Sequence, residues 1–250
     1  MKSEILYGIH PVHEALKANR RLLYEVYLAA RKKSERLAQI QSLATSRGVA
    51  LKTVDTADIR ALAGQPGHQG VAARVSPYEM VSLSQLLETV PAQGGAAPFL
   101  LVIDSVQDPQ NLGAIIRTAL CVGVDSVVMP KDRCASPNPT VSSASAGALE
   151  HIRLARVTNL VQGFKRIKQS GLWIAGLERN TAVSIYDTDL TGPLAVVLGG
   201  EQKGIRPLVK KNCDLLVSIP QYGPVDSLNV SAAAAVAMYE VLRQRGRGQR

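Results

Sequence analysis

From Phe99 onward the chain alternates short, unbroken apolar runs with helical patterns. That alternation narrows the fold more than any other feature. Phe99-Leu-Leu-Val-Ile103 and Leu194-Ala-Val-Val-Leu198 are apolar at every position. A strand solvated on one face alternates apolar with polar residues, so an unbroken run marks a strand buried on both faces. Further strands are read at Ser126 to Met129, His151 to Val157, Leu172 to Leu177 and Leu215 to Ile219. Helical patterns are read at Asn111 to Val122, Leu160 to Gln169 and Ser231 to Arg243. Strand–helix alternation of this kind predicts an α/β fold, a parallel sheet with helices on both faces.

The first 75 residues read as a smaller α/β unit. Strands are expected at Glu4 to Ile9, Leu22 to Leu28, Ala50 to Val54 and Gly70 to Val75. Pro11 suits the first turn of a helix through Asn19. Ser34 can cap a helix that ends at Gly48, and Asp55 opens a short one. Between the two halves lies a possible helix, Leu83 to Thr89. It is followed by Pro91-Ala-Gln-Gly-Gly-Ala-Ala-Pro98, a boundary signal. The expected organisation is a domain at 1–75, a linker at 76–97 and a second domain at 98–250.

Charge narrows the partners. The 250 residues hold 29 Lys and Arg against 20 Asp and Glu, a net charge of +9. The surplus is shared, +4 in residues 1–97 and +5 in residues 98–250. Such a balance attracts phosphate backbones. Aromatic residues make up only 4% of the chain, which argues against a surface that stacks many bases. The three cysteines, Cys121, Cys134 and Cys213, form no CxxC pair. They fit a reducing compartment and offer no metal site. No run approaches the roughly 18 apolar residues of a membrane helix, and Glu4 falls where a signal peptide would place its apolar core. The expected location is the cytosol, with no membrane partner. The basic end, Arg243 to Arg250, reads as a frayed terminus or a phosphate contact.

Ligands of open α/β sheets sit beyond the carboxyl ends of the strands. Three segments stand at such ends. One runs from Asp104 to Ala119, with Asn111 and Arg117 six apart. The second is Leu198-Gly-Gly-Glu-Gln-Lys-Gly204. The third is Ile219-Pro-Gln-Tyr-Gly-Pro-Val-Asp-Ser-Leu-Asn-Val-Ser231. No GxGxxG follows a strand, and no P-loop, HExxH or GxSxG occurs, so the dinucleotide, ATP, zinc-protease and serine-hydrolase sites of those kinds are unsupported. Six residues on a helix turn through about 600°, so Asn111 and Arg117 are offset by roughly 120°. Asn111 belongs at the helix start, where it caps or meets a ligand. Arg117, among Ile115, Ile116 and Ala119, either snorkels to solvent or contacts a phosphate.

Taken together, the three segments resemble the motifs of the SpoU (TrmH-like) family of RNA ribose 2′-O-methyltransferases. Asn111 and Arg117 match its first motif. Gly199, Gly200, Glu201 and Gly204 match its second, and Ser227 to Ser231 its third. Tyr7-Gly-Ile-His10 and His68-Gln-Gly-Val71 are similar to the amino-terminal RNA-binding domain of members that modify a guanosine ribose in large-subunit (23S) ribosomal RNA. Ordinary packing or turn roles for His10 and His68 stay open. Gln202-Lys203 and the stretch Tyr222 to Asp226 depart from the usual pattern and bear on substrate choice.

The resemblance implies S-adenosylmethionine as methyl donor, a carboxy-terminal trefoil knot of the SPOUT kind, and a homodimer acting on ribosomal RNA. It places the reaction on Arg117, Asn111, Glu201, Ser227 and Asn229. It places the cofactor against Gly199, Gly200, Ile219, Pro220 and Leu228. Arg117 is expected either to take the 2′-hydroxyl proton or to bind phosphate and orient the hydroxyl, with Glu201 orienting Arg117 or a neighbouring hydroxyl. Ser227 is expected to contact substrate or cap the last helix. Ala232 to Ala235 suit close helix packing, at a dimer interface or against the knot. A transfer-RNA ribose methylase, a methylase conferring antibiotic resistance, and a catalytically silent RNA-binding assembly factor remain alternatives.

Overall fold

The computed structural model describes residues 2–30, 32, 34–89, 97–224 and 227–246. Residues 90–96 of the expected linker, Val225 and Asp226 of the third segment, and the end of the basic tail at 247–250 lie outside them. The chain forms two compact units. One holds Met1–Glu79 together with Ser136–His151; the other holds Met80–Ala135 and Ile152–Arg250.

The first unit is built on a four-stranded sheet in the order β1 (Glu4–Tyr7), β4 (Val71–Val75), β2 (Leu23–Ala29), β3 (Ala50–Val54). β4 is antiparallel to β1 and β2, while β2 and β3 are parallel. Helices α1 (Ile9–Ala18) and α2 (Glu35–Ser46) bring Val12, Leu16 and Ile40 into one core with Leu6, Val26 and Val71. Ser34 caps α2 by accepting from Leu37 N, and Asp55 and Asp58 close a capping box at α3 (Thr56–Ala63). α3 buries Ile59 with Tyr27 and Ala72. The sequence reading has no counterpart for the short α6 (Pro139–Ala144), capped by Asn138. In this unit the Arg21 guanidinium meets Glu4 Oε2 at 2.5 Å and Glu150 Oε1 at 3.5 Å. Burial raises the Glu150 carboxyl pKa, opposed by the Arg21 charge and the Ser142 hydroxyl.

The second unit is a six-stranded sheet, parallel throughout, in the order β10-β8-β9-β5-β6-β7. The strands are β5 (Phe99–Ile103), β6 (Ser126–Pro130), β7 (Arg153–Val157), β8 (Trp173–Leu177), β9 (Leu194–Leu198) and β10 (Leu215–Val217). β5 and β9 are buried at every residue, as their unbroken apolar runs require. Leu100, Val102, Ala195 and Val197 pack on one face with α4 (Leu83–Thr89), α7 (Leu160–Gln169) and α8 (Pro207–Lys210). α5 (Pro109–Cys121) and α9 (Val230–Gly246) pack on each other, and α9 lies against β9.

The chain runs from β5 outward through β6 to β7, then returns to lay β9 on the other side of β5. That reversal opens a crevice at the carboxyl ends of β5 and β9, the place where open α/β sheets bind ligands.

Candidate functional site

The crevice is closed by two chain segments in close contact. After β9 the chain turns back on itself, and Gly200 and Gly204 exchange both backbone hydrogen bonds, at 3.1 and 3.0 Å. Side chains have no room here. A Cβ on Gly199 would lie 2.1 Å from the Gly204 carbonyl carbon and 2.3 Å from Ile205 N. A Cβ on Gly200 would lie 2.4 Å from the Ser105 carbonyl oxygen, on the loop that follows β5. The glycines therefore serve close backbone approach rather than a flexible turn.

An ion pair with a buried carboxylate pins this turn to β5. Asp104 is 0% exposed. Its Oδ2 accepts from Arg206 N at 2.9 Å and its Oδ1 from Arg206 Nε at 2.7 Å. Neither residue was singled out from the sequence as part of a site. The available signal was position, since Asp104 is the first polar residue after an all-apolar strand.

Helix α5 starts two residues before the sequence reading placed it. Asp108 takes the capping role by accepting from Gln110 N at 3.0 Å, and Pro109 fills the first helical position. Asn111 is thereby freed from capping and sits in the first turn. Its Nδ2 donates to Glu201 Oε1 at 2.9 Å, and its Oδ1 accepts from Asn229 Nδ2 at 3.1 Å. Asn229 Oδ1 in turn accepts from Ser231 N at 2.8 Å. The chain Asn229–Asn111–Glu201 joins all three sequence segments. The partner found on Glu201 is Asn111 rather than Arg117, and the side chain satisfying the start of α9 is Asn229 rather than Ser227.

Two cavities meet along Gly200, Glu201 and Gly204. The first is an apolar cleft walled by Leu177, Leu198, Gly199, Ile219, Leu228 and Val230, with Glu178 and Ser227 also on its lining. It gathers Gly199, Gly200, Glu201, Ile219, Ser227 and Leu228 from the expected site; Pro220 lies between two lining residues, Ile219 and Gln221, without lining it. The second is lined by polar residues and glycines, with Asn111, Asp108, Arg133, Lys203 and Arg206 on its walls. Arg117 lines neither. It is exposed on α5 and makes no hydrogen bond or ion pair among the described residues.

Burial pushes the thiols of Cys134 and Cys213 up to about 11 and about 12, so neither is a thiolate nucleophile at neutral pH. No group of three or more His, Cys, Asp or Glu among the described residues is arranged to hold a metal ion. In the first unit, His68 Nδ1 accepts from Gly70 N at 3.2 Å, a turn role, and burial lowers its pKa. His10 Nε2 lies 3.2 Å from Arg36 Nη1.

Residues 98–239 match the model of the SpoU rRNA methylase family, and residues 5–81 match that of the RNA 2′-O ribose methyltransferase substrate-binding domain. The 23S rRNA (guanosine-2′-O-)-methyltransferase RlmB of Xylella fastidiosa (strain 9a5c) is 39% identical over 98% of both chains. RlmB of Vibrio vulnificus (strain CMCP6) is 38% identical, also over 98% of both. The fold is shared with the SpoU methyltransferase AviRb from Streptomyces viridochromogenes, solved with AdoMet. There the TM-score is 0.81 at 22% identity, over 98% of this chain and 92% of that one. With all three motifs drawn together by hydrogen bonds at one sheet crevice, and with both family models covering their respective stretches, the chain belongs to the SpoU rRNA methylase family.

Proposed function

We propose that this protein transfers a methyl group from S-adenosylmethionine to the ribose 2′-oxygen of a guanosine in 23S ribosomal RNA. The observation that carries the reading is the Asn229–Asn111–Glu201 hydrogen-bond chain, whose Glu201 lines both cavities and whose Asn111 lines the second. The identity to RlmB proteins along nearly the whole chain favours guanosine and the large-subunit RNA over a transfer RNA.

The lining of the apolar cleft suits an adenosyl group chemically, with aliphatic walls from Leu198, Ile219 and Leu228 and a glycine backbone that brings no side chain between ligand and chain. When bound, S-adenosylmethionine supplies an electrophilic methyl carbon on a sulfonium. The residues of this chain do the rest. Asn111 and Asn229 fix neutral amide groups beside the cleft, and Glu201 offers an acceptor to a ribose hydroxyl. Positive charge disperses as the sulfonium leaves, so alignment and exclusion of water matter more than an anion trap. Arginine keeps its proton above pH 12. We therefore assign Arg117 to holding RNA phosphate rather than to removing the 2′-hydroxyl proton, which passes to the Glu201 carboxylate as the oxygen–methyl bond forms and the sulfur–methyl bond breaks.

We read the protein as a homodimer in the cytoplasm. Leu120 on α5 and Tyr239 and Leu242 on α9 are exposed apolar side chains on two helices that pack together, which suits contact with a second copy. Arg117 lies on the exposed side of the same α5. The near-contacts of Gly199 and Gly200 with neighbouring backbone suit the tight crossings of a trefoil knot. No helix among the described residues is long and apolar enough to cross a membrane.

The test is methyl incorporation from labelled S-adenosylmethionine into unmodified 23S RNA, with transfer RNA as comparison. Label in a 23S guanosine ribose supports the reading. Label confined to transfer RNA, or no cofactor binding at all, refutes it.

A further inference from the structure

The polar cavity beyond the Gly200–Gly204 turn holds two cationic side chains, Arg133 and Lys203, that lie outside the Asn229–Asn111–Glu201 chain. It is about 510 Å³ in volume, within the range of nucleotide-sized sites. Arg206, on its wall, is committed to the buried Asp104. Arg133 and Lys203 are not committed: both are exposed and make no ion pair or hydrogen bond among the described residues. Arg133 also has a left-handed backbone, φ 66°. A non-glycine residue held there is uncommon, costs free energy and clusters at functional sites. The acids on the same wall are partly engaged. Asp108 accepts from Gln110 N, and Glu201 accepts from Asn111 Nδ2.

We propose that Arg133 and Lys203 seat a backbone phosphate of the RNA next to the target nucleotide, while the Asn111–Glu201 side of the same cavity receives its ribose. The proposal rests on the RNA-methylation reading above and adds the contacts that position the substrate. A cavity lined by cations alone fits any anion. A cavity that holds both free cations and a carboxylate–amide pair fits a group that both accepts and donates. Ribose phosphate is such a group: its anionic oxygens accept from Arg133 and Lys203, and its hydroxyls donate to Glu201.

The test uses the full-length protein and a 23S RNA fragment containing the target. Arg133→Gly removes the side chain where the backbone already favours glycine, so folding is retained; Lys203→Ala acts on an exposed turn. Each variant is expected to weaken RNA binding on the order of tenfold. Each also flattens the dependence of log affinity on log salt by about 0.7–0.9, the counterion share of one phosphate. S-adenosylmethionine affinity stays at the wild-type value. Lys165→Ala, an exposed charge on α7 away from the cavity, leaves RNA affinity unchanged. Unaltered RNA affinity and salt slope in Arg133→Gly and Lys203→Ala would overturn the proposal, as would an equal loss in Lys165→Ala. If the variants lose RNA affinity as described but the wild type transfers no methyl group, the phosphate seat stands and the methylation reading falls. If the wild type methylates 23S RNA while the variants bind it normally, the reverse holds.

Discussion

Replacing Asp104 with Asn removes one charge and nothing of the shape, so its effect isolates the ion pair that pins the glycine turn. Two of the three hydrogen bonds to the carboxylate come from Arg206, from Nε at 2.7 Å and from N at 2.9 Å; the third comes from Ser105 Oγ at 3.2 Å. Hydrogen bonds to a charged group contribute about 1.5–3 kcal/mol each. An asparagine has one oxygen, so one of the two donors loses its acceptor and faces an NH2 instead. The Arg206 side chain is 34% exposed, so water recovers part of the loss on that side. The backbone N–H recovers less, because Asp104 is fully buried. The expected cost is about 2 kcal/mol, read as a lower urea midpoint by circular dichroism. The same change loosens the wall shared by both cavities, so cofactor and RNA affinities fall together. Combined with Arg206→Gln, the double-mutant cycle should return a coupling of about 1 kcal/mol or more. A cost under about 0.5 kcal/mol, or additive single effects, would refute the claim that this pair holds the turn.

Arg117→Ala should fold and bind S-adenosylmethionine like the wild type yet lose methyl transfer, because the side chain is exposed and makes no hydrogen bond or ion pair among the described residues; normal turnover sinks its assignment. Gly200→Ala should lower both stability and cofactor affinity, since its Cβ would press to 2.4 Å from the Ser105 carbonyl, and calorimetry on the purified variant checks this. In the first unit, Lys52, Tyr27 and Arg74 hold the Glu25 carboxyl down to about 2 from an ordinary 4.5, the Lys52 contact contributing most. A depressed carboxylate pKa contributes stability that is present above about 4.5 and lost as pH falls through about 2. Glu25→Gln should flatten the acid limb of the urea midpoint across that window, and an unchanged limb would show that the cluster does not matter.

Much of the fold was legible because burial leaves a plain mark on composition. Phe99–Ile103, Leu194–Leu198 and Leu160–Gln169 have the bounds their patterns predict, since an unbroken apolar run or a helical stripe admits few other structures. Boundaries set by caps were harder. α5 begins at Pro109 rather than Asn111 because Asp108 and Pro109 together cap more effectively than Asn111 could alone. The grouping of Ser136–His151 with Met1–Glu79 has no local signature, because it depends on long-range contacts such as Arg21 with Glu150. At the site, sequence order could not show that Asn111 would meet Glu201 and Asn229, ninety and more residues away. The motifs named these residues, but spacing along one helix says nothing of partners on other loops. Asp104 and Arg206 escaped notice for the same reason, being ordinary charges until the sheet brings their loops together.

The central claim is methylation of a guanosine ribose in 23S RNA, and mapping 2′-O-methyl positions in ribosomal RNA from cells with and without the gene tests it most directly. The account predicts one 23S guanosine whose 2′-O-methyl group disappears with the gene, returns with the wild-type copy and fails to return with Asn111→Ala. Identical 23S maps in both strains, or a lost mark only in transfer RNA, would contradict it.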